Sequence, residues 1–154
     1  MLVFERGNKV KPSVYVTRII PEDILEIIKK DCNVKVWPEE NFPVPREVLK
    51  EEIKAADGLF CLLTETIDED LLCEANNLKV ISNMAVGYNN IDVPAATKRG
   101  IMVTNTPGVL TETTADLTFA LLMMTARRMS EAEKFLRKGE WTTWSPLLLA
   151  GQDI

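Results

Sequence analysis

The feature that most constrains the fold is a regular alternation of strand-like and helix-like segments over residues 13–110. Five short apolar runs are each followed by a polar or amphipathic segment. We predict strands at 13–17, 34–37, 58–63, 79–82 and 101–104, and helices at 22–30, 46–55, 68–73 and 93–99. The connections are too short for anything but crossovers between neighbouring parallel strands. The alternation therefore predicts an α/β fold of flavodoxin-like form, with a five-stranded parallel sheet and flanking helices.

Two of these segments carry further detail. Gly58 to Leu63 is continuously apolar, which is typical of a central parallel strand covered on both faces. The first helix begins after Pro21, where acidic residues favour the positive end of the helix dipole. Its inner side is predicted to contain Ile24, Leu25, Ile27 and Ile28. The Pro-rich stretch 38–45 predicts a loop.

The segment from residue 111 has a different pattern. Thr113 and Asp116 have the spacing of a capping pair, and a helix is predicted to run to about Arg128. Its apolar residues form two stripes, Leu117, Ala120, Leu121 and Met124 on one side and Phe119, Leu122, Met123 and Ala126 on the other. A helix that is apolar on two sides must be covered on two sides. We therefore predict a long interdomain or dimerisation helix, followed by an aromatic arm at 141–146.

Charge and hydropathy narrow the class of partner. The formal net charge is -5, which opposes attraction to nucleic acid or an anionic membrane. The longest uncharged apolar stretch, 117–126, is about half the ~20 residues that a membrane span needs. Residues 1–7 lack a hydrophobic region long enough for a secretory signal. We expect a soluble, cytoplasmic protein with a small-molecule partner, and neither a nucleic-acid nor a membrane partner.

The cysteines and the missing histidine bear on metal and redox chemistry. Cys32, Cys61 and Cys73 are widely spaced, and Cys61 lies inside an apolar run. We expect reduced, mostly buried thiols. The chain has no histidine and no close cysteine pair, so we predict no metal site.

The most informative loop follows the fourth predicted strand. Ligands of doubly wound sheets bind beyond the carboxyl ends of the strands, and residues 83–92 lie at such an end. Gly87 can adopt dihedrals closed to other residues, which would let consecutive backbone N–H groups converge on an anion such as a carboxylate. The alternative is that Gly87 only shapes a turn.

Residues 80–128 read VISNMAVGYNNIDVPAATKRGIMVTNTPGVLTETTADLTFALLMMTARR. This stretch resembles the D-2-hydroxyacid dehydrogenases. The family pattern has a small residue, Val and Gly, then Asn or His, Ile and Asp, a Lys-Arg-Gly-Ile turn, an Asn-Thr-Pro-Gly loop and a Thr-rich helix. The flanks at 14–18, 59–64 and 139–146 are similar to the glyoxylate reductase/hydroxypyruvate reductase branch.

The resemblance implies roles for five positions. In the family, the backbone N–H groups at Val86 and Gly87 hold the carboxylate of the 2-oxo acid, and Leu63, at the end of the third strand, lines the same pocket. In the reductase branch, Trp144 would reach the neighbouring subunit's active site, or else anchor the arm against that subunit. Thr114 lies where the family approaches the nicotinamide, with a plain role in starting the helix as the alternative.

The resemblance also implies a domain arrangement and a reaction. Residues 1–110 would form the substrate-binding domain, and residues 111–154 the interdomain helix and dimerisation arm at the start of a truncated nucleotide-binding domain. The full-length enzyme would be a homodimer, joined through 111–150, that reduces glyoxylate or hydroxypyruvate to glycolate or D-glycerate. Its cofactor would be NADPH or NADH, a choice that the sequence leaves open.

The chain lacks the parts that carry the redox step. The family's histidine, glutamate and arginine follow residue 154, and this chain contains no histidine and no G-x-G-x-x-G motif. We therefore predict that the chain alone neither binds dinucleotide tightly nor turns over substrate.

Two alternatives to an enzyme half remain. One is a free-standing flavodoxin-like binding module, although the loop after the first strand, 17–21, offers neither an acidic cluster nor a glycine-hydroxyl loop. The other is a natural short form that acts as an interaction module by pairing with full-length subunits.

Overall fold

The computed structural model describes residues 10–154, and the prediction about a secretory signal lies outside the described residues. Contacts divide the chain into two compact units, residues 10–107 and 108–154. Assignment of these units to a substrate-binding domain and a dimerisation segment stays a prediction. Within the described part of the chain, helices fall short of the length and apolar content that a bilayer crossing requires.

The first unit is a five-stranded parallel sheet with four helices. The strands are β1 Ser13–Val16, β2 Asn33–Val36, β3 Gly58–Cys61, β4 Val80–Asn83 and β5 Met102–Thr104. The helices are α1 Glu22–Lys29, α2 Arg46–Ile53, α3 Glu69–Glu74 and α4 Val93–Lys98. The strand order is β2-β1-β3-β4-β5, the flavodoxin-like order. The predicted fold class and the central place of β3 are confirmed.

The two faces of the sheet differ in how well they are covered. One face packs against α2, α3 and α4 in a large core, in which Leu49, Leu59, Leu72 and Ile81 are almost completely buried. The other face holds a smaller cluster of Val16, Ile20 and Leu25 beneath α1. The continuous apolar run of β3 is explained by this burial on both sides.

Three local predictions are wrong. In α1, Leu25 is buried and Ile28 half-buried, but Ile24 and Ile27 are exposed, because steps of 100° along the helix turn them away from the sheet. Strand β3 ends at Cys61, so Leu63 lies two residues beyond the strand that it was expected to end.

The cysteines are less buried than predicted. Cys61 is buried, Cys32 is half-buried and Cys73 is exposed. Cys73 follows the buried Leu71 and Leu72 in α3, and the 100° step along the helix turns its side chain away from the core.

The second unit contains two helices and an irregular end. Helix α5 spans Thr111–Ala126 and α6 spans Met129–Arg137, with Arg128 between them in the left-handed region at φ 53°. Residues 141–154 form neither helix nor strand. The N–H of Gln152 donates to the carbonyl of Ala126 at 2.8 Å, which returns the chain to the end of α5.

The start of α5 differs from the prediction. The N-cap position is Leu110, without a side-chain cap hydrogen bond, and the expected capping pair of Thr113 and Asp116 is wrong. The helix begins earlier because Leu110 already accepts a helical hydrogen bond from the N–H of Thr114 at 2.9 Å. No residue of α5 is buried. The dimerisation role of this helix and of the aromatic arm stays a prediction.

Candidate functional site

The candidate site lies in the first unit, at the carboxyl ends of β3, β4 and β5. Its centre is the glycine bend, defined as residues 84–90, which follows β4 directly. Val86 and Gly87 are exposed at the bend, and Asn83 at the end of β4 is 1% exposed. The bend is therefore accessible to a ligand, while the strand end that supports it is buried.

Three successive carbonyl groups of the bend are engaged by neighbouring residues. Two of the donors come from the segment after β5, and the third comes from the end of β4. The pairs are Ala85 O with Thr106 N (2.9 Å), Val86 O with Asn105 Nδ2 (2.8 Å) and Gly87 O with Asn83 Nδ2 (2.9 Å). These contacts fix the orientation of three consecutive peptide planes.

The fixed carbonyls determine where the amides point. The peptide bonds are trans in the part of the chain that the structure describes, so each N–H is directed opposite to the carbonyl of its own peptide plane. The N–H groups of Val86 and Gly87 consequently both point away from residues 105 and 106. Among residues 10–154, neither N–H finds an acceptor. Two adjacent free amides on one side of an exposed bend have the donor arrangement that can bind an anion such as a carboxylate.

Gly87 reaches this arrangement without a special backbone conformation. Its φ lies outside the left-handed region, which other glycines such as Gly100 and Gly108 adopt. The expectation that Gly87 uses dihedrals closed to other residues is wrong. Among residues 10–154, a Cβ built on Gly87 would meet only Asn89 Oδ1, at 3.4 Å, an ordinary contact. Neither the turn nor the packing of these described residues requires glycine at this position.

Asn83 owes its orientation to a buried thiol. Cys61 Sγ lies 3.6 Å from Asn83 Oδ1, and both residues are buried. Burial, with a contribution from the charge of Glu65, raises the pKa of Cys61 to about 12. The thiol therefore stays protonated and donates to Asn83 Oδ1. This leaves the Nδ2 of Asn83 to face the carbonyl of Gly87.

The loop after β3, residues 62–66, forms the second part of the site. Leu63 is 56% exposed and is available as an apolar wall. Glu65 is buried, and its Oε2 accepts hydrogen bonds from Thr17 Oγ1 at 2.7 Å and from the N–H of Leu62 at 2.9 Å. Arg18 NH2 lies 3.9 Å from Glu65 Oε1, so the buried carboxylate has a cationic neighbour.

Polar side chains of this edge were given no role by the sequence analysis. They are Asn83, Asn90, Asn105 and Glu65. Asn83 and Asn105 each directly follow a predicted strand, and this position alone only weakly indicates a role in a ligand site. Glu65 stands between two threonines in what reads as an ordinary polar turn, so no pattern marks it as buried.

Two predicted site residues belong to the second unit. Thr114 is exposed in the first turn of α5, where its carbonyl accepts a hydrogen bond from Thr118 Oγ1 at 2.7 Å. Trp144 is 74% exposed in the irregular segment. The structure therefore groups Leu63, Val86 and Gly87 in one unit, and the roles of Thr114 and Trp144 stay predictions.

Comparison with known proteins gives a consistent result. Residues 14–143 match the family model of the D-isomer specific 2-hydroxyacid dehydrogenase, catalytic domain. The chain is 49% identical, over 148 residues, to the glyoxylate reductase of Thermococcus litoralis, covering 94% of this chain and 44% of that protein. The chain therefore spans less than half the length of this curated relative.

Solved structures agree in fold. The crystal structure of the TT0316 protein from Thermus thermophilus superimposes with a TM-score of 0.83 at 40% identity, over 92% of this chain and 45% of that one. The D-lactate dehydrogenase from Aquifex aeolicus, complexed with NAD and lactic acid, superimposes with a TM-score of 0.71 at 26% identity, over 88% of this chain and 40% of that one.

Proposed function

The chain belongs to the D-isomer specific 2-hydroxyacid dehydrogenase family, and on that premise we propose that it is the substrate-binding portion of an NAD(P)H-dependent 2-oxo acid reductase. The substrate is a small 2-oxo acid, glyoxylate or hydroxypyruvate, and the product is the corresponding 2-hydroxy acid. The similarity to glyoxylate reductases supports this choice, as does the scale of the glycine bend, where two adjacent amides suit one carboxylate.

The observation that carries the proposal is the pair of free N–H groups at Val86 and Gly87. Their peptide planes are held by Thr106 and Asn105, so the donors are oriented before a ligand arrives. Preorganised donors lose little conformational entropy on binding, which favours recognition of a small anion. Leu63, exposed on the neighbouring loop, supplies an apolar wall that restricts the size of the substrate.

The redox chemistry lies outside this chain in the proposal. The nicotinamide would supply the hydride when bound. The residues present do not fit the dinucleotide, because the sequence contains no G-x-G-x-x-G motif. It also contains no histidine to act as the proton donor. We propose that the chain alone neither holds NADPH or NADH tightly nor catalyses reduction.

Self-association is the second part of the proposal. Helix α5 exposes large apolar side chains over residues 117–124, among them Leu117, Phe119 and Leu121. Patches of this kind mark surfaces that bind other proteins. We propose that residues 111–150 join two copies of the protein, and that Trp144 belongs to that contact or reaches the partner's site.

The decisive experiment is an NMR titration of the chain with glyoxylate and with hydroxypyruvate. We expect concentration-dependent shifts of the amide signals of Val86 and Gly87. Gly87→Ala should fold normally, since its φ and surroundings accept a Cβ, yet bind about tenfold more weakly because the methyl group occupies the approach of the carboxylate. The matched control is Asn77→Ala, an exposed substitution before β4, which should bind like the unaltered chain.

Two results would contradict the proposal. The first is a titration in which the signals of Val86 and Gly87 stay in place while other residues respond. The second is oxidation of NADH or NADPH by the purified chain with glyoxylate, since the chain would then contain a complete redox site.

A further inference from the structure

We propose that Asn90 is a positioning residue that holds the loop after β3 at a fixed distance from the glycine bend. It would thereby control both the affinity and the size limit of the 2-oxo acid pocket. The proposal rests on the proposed function, because it assigns Leu63 and the amides of Val86 and Gly87 to one pocket. Asn90 itself makes no contact with the substrate in this scheme.

The side chain of Asn90 uses both of its donor hydrogens on the loop after β3. Its Nδ2 donates to the carbonyl of Leu62 at 3.0 Å and to the carbonyl of Glu65 at 3.1 Å. The backbone carbonyl of Asn90 also accepts a hydrogen bond from the N–H of Ile67 at 2.8 Å. The end of the bend is therefore attached to the loop by its side chain, and to the residue that follows the loop by its main chain.

The other end of the same carboxamide faces the bend. Asn83 Nδ2 lies 3.4 Å from Asn90 Oδ1 and 2.9 Å from the carbonyl of Gly87. A continuous path of hydrogen bonds thus runs from Leu62 through Asn90 and Asn83 to Gly87. The residue that provides the wall, Leu63, follows directly after the first member of this path.

Hydrogen bonds of the Glu65 side chain hold this loop in place. The carboxylate of Glu65 binds the N–H of Leu62 within the loop and the hydroxyl of Thr17 at the end of β1. Fixing Leu62 and Glu65 to β1 leaves their carbonyls in place for Asn90. Asn90 therefore joins two segments that are each already ordered, and its loss should change their separation more than their internal structure.

Substitutions at Asn90 can separate positioning from simple stability. Asn90→Ala removes both donors, and Asn90→Asp keeps the shape but places a carboxylate oxygen against two carbonyls. Asn90→His restores one N–H donor when the imidazole is neutral. We expect glyoxylate to bind about tenfold more weakly to the first two variants and to recover part of that loss in the third.

The test combines binding with a measurement that needs no ligand. NMR titrations with glyoxylate are run below the melting temperature of every variant, and backbone order parameters are measured for Leu63, Val86 and Gly87. We expect lower order parameters at these residues in Asn90→Ala, and values like those of the unaltered chain in the exposed control Asn77→Ala. A variant that only melts earlier, with unchanged affinity and order parameters, overturns the proposal.

Failure of the proposed function would be visible separately. If the unaltered chain does not bind glyoxylate, the substrate assignment fails. The order parameters alone then decide the role of Asn90, since loosening of Leu63, Val86 and Gly87 supports positioning and unchanged values exclude it.

Discussion

The two units of the chain use their apolar residues in opposite ways. In residues 10–107, apolar side chains such as Leu59 and Ile81 are buried in a core that the unit forms by itself. In residues 108–154, all of which the structure describes, no side chain is buried. The first unit has the contacts of a self-sufficient fold, whereas the second presents its apolar surface outward.

The difference shows that apolar content alone does not predict burial. Helix α5 contains more apolar residues than α1 or α2, yet those shorter helices bury Leu25, Leu49 and Ile53 while α5 buries none. The arrangement of the residues decides the outcome. A helix with one apolar side can pack against a sheet, but a helix with apolar residues on all sides needs to be covered on all sides.

The largest expected effect is on the stability of the fold, when a buried residue of the first unit and an exposed residue of the second are each truncated. Leu59→Ala, at a position 1% exposed in β3, should lower the free energy of unfolding by about 3 kcal/mol, because it leaves a cavity in the core. Leu121→Ala, at a position 53% exposed in α5, should change it by about 0.5 kcal/mol or less in the dilute chain. Urea unfolding followed by circular dichroism measures both, and equal losses would show that the two units are stabilised alike.

Much of the first unit could be predicted from sequence because the period of apolar residues follows directly from the backbone. The alternation correctly gave the number of strands and the class of fold. The predicted ends of the strands were less accurate. Leu62 and Leu63 continue the apolar run of β3, although the strand ends at Cys61. Apolar character reports burial, and it cannot show where hydrogen bonding between strands stops.

The position of the candidate site could be predicted from sequence, but the contacts that orient it could not. The glycine bend was found because it follows a strand in a parallel sheet. The groups that orient it, Asn105, Thr106 and Asn83, lie on two different strand ends, and they meet only once the sheet order is fixed. A linear pattern also could not show that Gly87 has an ordinary φ.

A smaller effect is expected when charges are placed on the exposed apolar surface of α5. This substitution tests whether that surface is used for self-association, which the buried core of the first unit cannot be. If α5 joins two copies, Leu121→Glu or Phe119→Glu should weaken the dimer by about 2 kcal/mol, since each places a charge in a buried apolar contact. The two residues lie on different sides of the helix, so only one of the substitutions should have this effect. Sedimentation velocity across a concentration series measures it.

The control for association lies in the first unit. Ile27→Glu replaces another exposed apolar residue, on α1, and should leave the dimer intact. A chain that stays monomeric at every concentration would contradict the proposed contact through residues 111–150, and equal weakening by Ile27→Glu would place the contact elsewhere.

The smallest effect concerns alkaline pH, and it should arise in the first unit, where Cys61 and Tyr15 are buried. Burial, with neighbouring carboxylates, raises the pKa of each to about 12. In the unfolded chain, a cysteine titrates near about 8.5. The folded state therefore holds the thiol proton more tightly than the unfolded chain does. The free energy of unfolding is highest below the pKa of the unfolded chain, and it falls as pH rises towards 12.

The expected loss between about pH 8 and about pH 9.5 is about 1 kcal/mol, because over this range the thiol ionises in the unfolded chain alone. Cys61→Ala should flatten this decline, even though the variant is less stable at neutral pH. Cys73→Ala, which removes an exposed thiol, should keep the slope of the unaltered chain. Urea unfolding at a series of pH values distinguishes the two. Identical slopes for both variants would mean that Cys61 titrates as an exposed thiol, and its part in orienting Asn83 would then be lost above neutral pH.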